Sequence, residues 1–343
     1  MSDRKVKAVA LMSGGLDSTL AVKVIQQQGV EVVGINFKTP FFGPAKAKAS
    51  AERLGIELIV LDVTEEHMEI VKHPKHGYGR FLNPCIDCHA FMVRKAGELM
   101  KKIGASFIIT GEVLGERPKS QNPQALRVVE RDSGFEGYVL RPLSAKLLDP
   151  TIPELEGLVD REGLYDFSGR SRKRQFELAK ELGITEYPSP AGGCLLTDPI
   201  FSERLRHLLK EHPEADVNDV ELQKVGRHFE GEGGSAIVIG RNEGENQRIQ
   251  ELARSGDILF ETKDVPGPIA LLRGKALPGE IKAAAALTAR YGKARALERA
   301  EVWRWKAGEE ERGIEVVERP SSAFIVEGHE RSIPIVKTER RAG

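Results

Sequence analysis

Only three of the 343 residues are cysteine: Cys85, Cys88 and Cys194. So sparse and odd a set excludes a disulfide framework and leaves metal or sulfur chemistry as the use for the thiols. Net charge is also lacking, with 51 basic residues against 51 acidic ones. No global field therefore attracts nucleic acid, and any phosphate contact must come from local basic patches. No apolar run approaches the roughly 20 residues of a membrane span. The first apolar stretch, Ala8–Met12, is too short for the core of a secretory signal. These absences predict a cytoplasmic chain with no membrane partner. There is no internal repeat or low-complexity tract, and the length predicts two or three domains.

What is present begins at residue 11. Leu11-Met12-Ser13-Gly14-Gly15-Leu16-Asp17-Ser18 follows a predicted strand and opens a segment with helical spacing at Leu16, Leu20, Val22 and Ile25. A strand-to-helix turn with two glycines points successive N–H groups at a ligand, and the helix N-terminus adds its positive dipole end. Ser13 and Ser18 supply hydroxyls. Asp17 can hold a metal that neutralises phosphate charge. A Walker A loop is excluded, because its phosphate-binding lysine is missing.

From Lys5 to about Tyr165, short apolar runs (8–12, 30–37, 57–61, 107–110) alternate with helical stretches near 16–28, 44–54 and 89–103. This predicts an α/β fold with a doubly wound parallel sheet, whose ligands bind at the carboxyl ends of the strands. Residues 166–216 read as a basic segment with a Pro- and Gly-rich loop, 187–194, that carries Cys194. From 217 to 330 the texture changes to Gly-rich turns between β-like runs (236–239, 258–260, 269–272) and one helix over 278–296, which predicts a separate α+β domain. Residues 331–343 read as a tail.

Asn83-Pro84-Cys85-Ile86-Asp87-Cys88-His89 is the second signal. The Cys-x-x-Cys-His spacing also serves haem attachment, but that requires an exported protein. Three uses stay open. Cys85, Cys88 and Cys194 can ligate a [4Fe–4S] cluster; with His89 they can hold a structural zinc; or Cys88 and Cys194 can carry a persulfide. A third signal, 110–121, follows the strand 107–110 and places Gly111, Glu112, Ser120 and Gln121 beside the Ser13–Ser18 loop.

Ser-Gly-Gly-x-Asp-Ser resembles the pyrophosphate loop of the PP-loop ATPases. Thr110-Gly111-Glu112-Val113-Leu114-Gly115 with Ser120-Gln121, followed by Arg141-Pro142-Leu143, resembles the thiamine-biosynthesis and 4-thiouridine-synthetase branch of that family. Residues 34–42 and the pairing of Cys88 with Cys194 are similar to tRNA 2-thiouridylases. The resemblance covers roughly residues 5–200 and implies an enzyme that splits ATP into AMP and pyrophosphate to adenylate a uridine carbonyl oxygen. Ser13, Gly14, Gly15, Asp17, Ser18, Gly111 and Glu112 would bind ATP with Mg²⁺. Asp17, Cys88 and Cys194 would be catalytic, with sulfur supplied by a cysteine desulfurase or free sulfide. 4-Thiouridine synthetases carry an RNA-binding region ahead of this loop and often a sulfur-delivery domain after it. Here the loop begins near residue 13 and no cysteine follows Cys194, so both tasks are expected to be met otherwise.

The C-terminal region supplies an RNA candidate. Gly240-Arg241-Asn242, Asp257–Phe260, Lys263–Gly267 and Ala289–Arg295 resemble the NFACT RNA-binding domain, although Glu261 and Ile269 stand where histidines are common in it. The resemblance implies phosphate contacts from Arg241, Lys263, Arg273, Arg290, Lys293 and Arg295, and base stacking by Tyr291. Arg170, Arg172, Lys173 and Arg174 form a second basic cluster, near Cys194 in sequence, which is either a solvated face or a substrate-phosphate contact. His67, His73 and His76 read as exposed and carry no assigned role. The function these features predict is ATP-dependent thiolation of an RNA uridine, with tRNA as partner. The alternatives are an RNA-binding factor on a nucleotide-responsive PP-loop scaffold, and a PP-loop sulfurtransferase or ligase acting on a small molecule.

Overall fold

The computed structural model describes residues 6–187, 193–231 and 233–320. The chain divides into two compact units at Asp198/Pro199, inside the segment 166–216.

The first unit runs β1 (Lys7–Leu11), α1 (Leu16–Gln27), β2 (Glu31–Lys38), α2 (Ala45–Leu54), β3 (Leu58–Asp62), α3 (Thr64–Lys72), α4 (Cys85–Ile103), β4 (Phe107–Ile109), α5 (Pro123–Ser133), β5 (Val139–Leu140), α6 (Ile152–Leu155) and α7 (Lys173–Glu181). The strands form a five-stranded sheet in the order β3-β2-β1-β4-β5, every pair parallel. Alternation along the strands feeds two cores. Ala8, Ala10, Phe107 and Ile109 face a cluster with Leu20 and Val24 of α1 and Leu178 of α7. Val9, Ile35 and Ile108 face Phe91, Val93 and Met100 of α4. Helices thus cover both faces, as a parallel sheet requires. The chain leaves β1 for β2 and β3, then returns to place β4 on the other side of β1. That reversal opens a crevice at the carboxyl ends of β1 and β4.

The second unit holds α8 (Pro199–Glu211), α9 (Val217–Leu222), β6 (Arg227–Glu230), β7 (Ala236–Ile239), α10 (Glu243–Leu252), β8 (Ile258–Thr262), β9 (Ala270–Arg273), α11 (Pro278–Arg290), β10 (Arg299–Lys306) and β11 (Gly313–Glu318). Its six strands are ordered β11-β10-β8-β9-β7-β6 and all pairs are antiparallel. Phe260, Ala270 and Val302 pack under Ala284, Ala285 and Leu287 of α11. On the opposite face Val238, Leu259 and Leu271 meet Leu222 of α9 and Ile249 of α10.

Several expectations are corrected here. The helix expected over 278–296 stops at Arg290, and Lys293–Ala296 form a separate 3-10 turn after Gly292. A side chain at Gly292 would press on Gly267 and Pro268. The basic segment 166–216 contains α7 and α8. Cys85 and Cys88 lie in the first turn of α4. His67 is fully buried in α3. The Pro-rich stretch 188–192 and the tail 331–343 lie outside the described residues. Among the described residues no helix is long and apolar enough to cross a membrane.

Candidate functional site

The turn Met12–Gly15 links β1 to α1 at the sheet's crevice. Gly14 has φ +75°, and a Cβ there would collide with the backbone of Lys46 and Ala47 at the start of α2. Only glycine satisfies both conditions. The Ser13 hydroxyl meets that of Ser18 at 3.1 Å and accepts the Gly15 N–H at 3.2 Å, while Ser18 donates to the Gly15 carbonyl at 2.9 Å. The loop therefore holds its own shape around a local hydroxyl pair. Gly111, just past β4, lies flush against it, because a Cβ at that position would run into the Ser18 backbone nitrogen and the Asp17 carbonyl carbon. The first and third sequence signals thus form one surface.

Glu112 behaves differently from the expectation that it meets nucleotide. Its carboxylate is buried and taken up by the Arg141 Nε–H (3.0 Å), the Thr110 hydroxyl (3.1 Å) and His89 Nδ1 (2.8 Å). Burial alone would raise its pKa, but the Arg141 guanidinium and His89 hold the carboxyl down at about 2. Arg141, 3% exposed, also pairs with Glu130. Glu112 therefore fixes the loop behind the site and orients His89, one residue after Cys88.

Asp17 receives Arg172 Nη2 on Oδ2 at 2.9 Å, and its Oδ1 is buried with no hydrogen-bond partner among the described residues. Burial raises its pKa against the pull of Arg172 and Arg117. Glu116 stands 3.9 Å from Arg172 Nε, and burial and the nearby Asp17 raise its pKa. Of the basic cluster, only Arg172 reaches this loop. Arg174 pairs with Asp166 at 2.5 Å and lies over the Phe167 ring, and Lys173 faces Glu177.

The three thiols are free and partly buried, and they feel one another. Burial, Cys194, Cys85 and Asp87 push the Cys88 thiol well above its ordinary value. Burial and Cys85 push Cys194 up to about 11, although Arg117 opposes this. For Cys194 desolvation outweighs the nearby cation. The residue that sequence reading passed over is His67. Its Nε2 contacts Cys88 Sγ at 3.1 Å, and its ring sits between Phe41 (centroids 5.6 Å) and Phe42 (5.4 Å). Burial lowers its pKa to about 4, so it is neutral at pH 7. Phe41 also accepts the Leu195 N–H at 3.3 Å, which fastens the Cys194 segment beside the same rings. Among the described residues no three Cys, His, Asp or Glu side chains are grouped as a metal-binding set.

In the second unit the expected RNA contacts separate into two groups. Arg273 is 11% exposed and is taken up by Asp257 (2.7 Å), Asp219 (2.9 Å) and Asn218 (2.9 Å). It is a structural clamp. Arg241 pairs with Glu245 and Lys263 with Glu301. Tyr291 lies beneath Arg227 at 4.7 Å and beside Phe229 at 5.8 Å. Lys293 and Arg295 are exposed.

Residues 4–149 match the family model of the thiamine biosynthesis protein (ThiI), and residues 226–324 match that of the NFACT protein RNA binding domain. The chain is 29% identical over 250 residues to the tRNA-specific 2-thiouridylase MnmA of Haemophilus ducreyi, covering 66% of this chain and 60% of the relative. It is 29% identical over 241 residues to the MnmA of Methylobacillus flagellatus, covering 65% and 63%. The chain thus spans about three fifths of the length of these curated relatives. Among solved structures it is similar to a 4-thiouridine synthetase in complex with RNA and bound ATP, with 22% identity, 63% of this chain and 52% of that chain covered, and a TM-score of 0.37.

Proposed function

We propose that this chain, of the PP-loop tRNA-thiolation type in its first unit and matched by an RNA-binding domain model in its second, is a cytoplasmic ATP-dependent sulfurtransferase for a tRNA uridine. The observation that carries the reading is Arg117: it belongs to the loop after Gly111, which packs flush against Asp17 and Ser18, and its guanidinium lies against Gly193 beside Cys194, so that its charge acts on both Asp17 and Cys194. A nucleotide on that loop and a sulfur on that cysteine would share one pocket.

Ser13, Gly14, Gly15 and Ser18 hold the phosphates through backbone N–H groups, hydroxyls and the α1 N-terminus. Mg²⁺ fits at Asp17, where the buried Oδ1, without a hydrogen-bond partner among the described residues, is a ready oxygen ligand; when bound, it would supply charge neutralisation for the phosphates. The uridine carbonyl oxygen attacks the α-phosphate, pyrophosphate leaves, and the oxygen becomes part of a good leaving group, AMP. The terminal sulfur of a persulfide on Cys88 or Cys194 then attacks the activated carbon. The C–O bond breaks with AMP, and a C–S bond replaces it. The other cysteine attacks the sulfur left on the carrier, forming a Cys88–Cys194 disulfide that an external thiol reduces. The persulfide is loaded by a cysteine desulfurase or by sulfide with an oxidant. No step runs through an iron–sulfur cluster.

Incubation with ATP, Mg²⁺ and tRNA should release AMP and pyrophosphate, and Asp17→Ala should abolish that release. Formation of ADP and orthophosphate would remove the assignment.

A further inference from the structure

His67 is a polar ring in a place where an apolar one would pack. It is fully buried in α3, with Phe41 at 5.6 Å and Phe42 at 5.4 Å between ring centroids, so the box around it is aromatic. Burying an imidazole there costs free energy that a phenylalanine would not incur. The ring meets one polar partner among the described residues, Cys88 Sγ at 3.1 Å from Nε2, while Nδ1 is buried with none. That orphan indicates the tautomer. Burial keeps the ring neutral at pH 7, a neutral imidazole carries one N–H, and a buried N–H left unpaired is rarer than an unpaired acceptor. The proton therefore sits on Nε2, and His67 donates to the sulfur.

Both sulfur-bearing segments are fastened to the same wall. The turn after β2 is closed by Thr39, whose N–H reaches the Phe42 carbonyl at 3.0 Å and whose hydroxyl accepts the Phe41 and Phe42 N–H groups at 3.1 and 3.3 Å. On one side its two rings enclose His67, which grips Cys88. On the other, the Phe41 carbonyl accepts the N–H of Leu195, the residue after Cys194. The Cys88 backbone is itself held, its N–H donating to the Pro84 carbonyl at 2.9 Å. What remains free is the rotamer of Sγ, and the bond from His67 removes that freedom.

We propose that His67 is a positioning residue of the sulfur relay, which through Nε2–H holds Cys88 Sγ in the rotamer that faces Cys194. The step it serves is the last one. With the transferred sulfur bonded to the uridine carbon, one cysteine attacks the carrier's Sγ; the bond from that Sγ to the transferred sulfur breaks, and the electron pair and the attacker's proton go to the departing thiouridine sulfur as the Cys88–Cys194 disulfide forms. Thiol–disulfide exchange depends on access and orientation of the attacking and attacked sulfurs, so an Sγ that turns freely loses rate. This rests on the sulfurtransferase reading above.

The test is the thiouridine formed per AMP released when the full chain is given tRNA, ATP, Mg²⁺ and a cysteine desulfurase with cysteine. His67→Phe fills the aromatic box and removes the donor, and should lower that ratio roughly tenfold, the effect of one lost hydrogen bond. His67→Gln, whose amide can return an N–H to Sγ, should recover part of the loss. A purely structural role would lower thiouridine and AMP together and leave the ratio alone. Nitrogen NMR of histidine-labelled protein reads the bond directly: the His67 signal, identified by its absence from His67→Gln, should show the proton on Nε2. An unchanged ratio in His67→Phe, no recovery in His67→Gln, or a proton on Nδ1 would overturn the proposal. Wild-type protein that forms no thiouridine would instead remove the sulfurtransferase reading, and the relay role of His67 with it.

Discussion

Arg141→Met is the sharpest test of how the site is supported from behind. Arg141 is 3% exposed and holds two glutamates, Glu112 and Glu130. Methionine keeps much of the stem's volume but leaves two buried carboxylates without their cation. Removing one partner of a buried pair costs about 3–5 kcal/mol. An independent figure comes from Glu112, whose carboxyl sits at about 2 against an ordinary 4.5; that depression corresponds to about 3 kcal/mol of stability. The sign follows from the direction. A lowered acid pKa stabilises above pH 4.5 and loses that contribution as pH falls toward 2. Without Arg141, Glu112 should protonate near or above its ordinary range, so the penalty of the variant should shrink on acidification. Glu112→Gln should cost less than Arg141→Met, and the double variant should recover part of the loss. Both tryptophans, Trp303 and Trp305, lie in the second unit. Urea unfolding of the first unit must therefore be followed by circular dichroism, with tryptophan fluorescence as the internal control. Arg141→Met within about 1 kcal/mol of wild type at pH 7, or a penalty that grows as pH falls, would refute the reasoning.

Gly111→Ala should push the Asp17–Ser18 backbone off its position, cost about 1–3 kcal/mol, and weaken ATP binding more than tenfold; equal affinity would show the two loops are not in contact. His67, neutral and buried with a pKa of about 4 against 6.5, contributes stability that is complete above pH 6.5 and falls by on the order of 3 kcal/mol as pH drops to 4. His67→Phe should flatten the acid limb of the first unit, and an unchanged limb counts against it. Lys293→Glu with Arg295→Glu should lower RNA affinity and reduce the log–log salt slope by roughly 0.7 per lost contact on single strands. Arg273→Gln should instead destabilise the second unit, seen in tryptophan fluorescence, and leave that slope unchanged.

Long periodic elements were legible in the sequence. β1, β2, β3 and β4 fall within a residue or so of the apolar runs at 8–12, 30–37, 57–61 and 107–110, because buried parallel strands are continuous apolar blocks. β5 is two residues long and is held by its neighbour β4, so no local signal marks it. β10, Arg-Ala-Glu-Val-Trp-Arg-Trp-Lys, alternates correctly at Ala300 and Val302, but its charges mask the period. α7 and α8 were hidden by polar faces; only Gln175, Leu178 and Ala179 of α7 are buried.

Motifs announce loops, whereas their charge partners come from elsewhere in the chain. Asp17 and Arg172 are 155 positions apart, and His67 and Cys88 are 21 apart, on helices that nothing local pairs. The thiols illustrate the consequence. Arg170–Arg174 lie near Cys194 in sequence, yet the cation acting on it is Arg117, far away in the chain and in the loop that follows β4. One guanidinium does not offset burial, so Cys194 rises to about 11, and Cys88 is likewise pushed well up by burial and its neighbouring thiols. Resident thiols that stay protonated at pH 7 are poor nucleophiles. A persulfide is more acidic than a thiol and ionises where the thiol does not. Reactivity in this pocket would then depend on the sulfur that is loaded, and the unloaded enzyme would be protected from adventitious oxidation by the same burial that silences its cysteines.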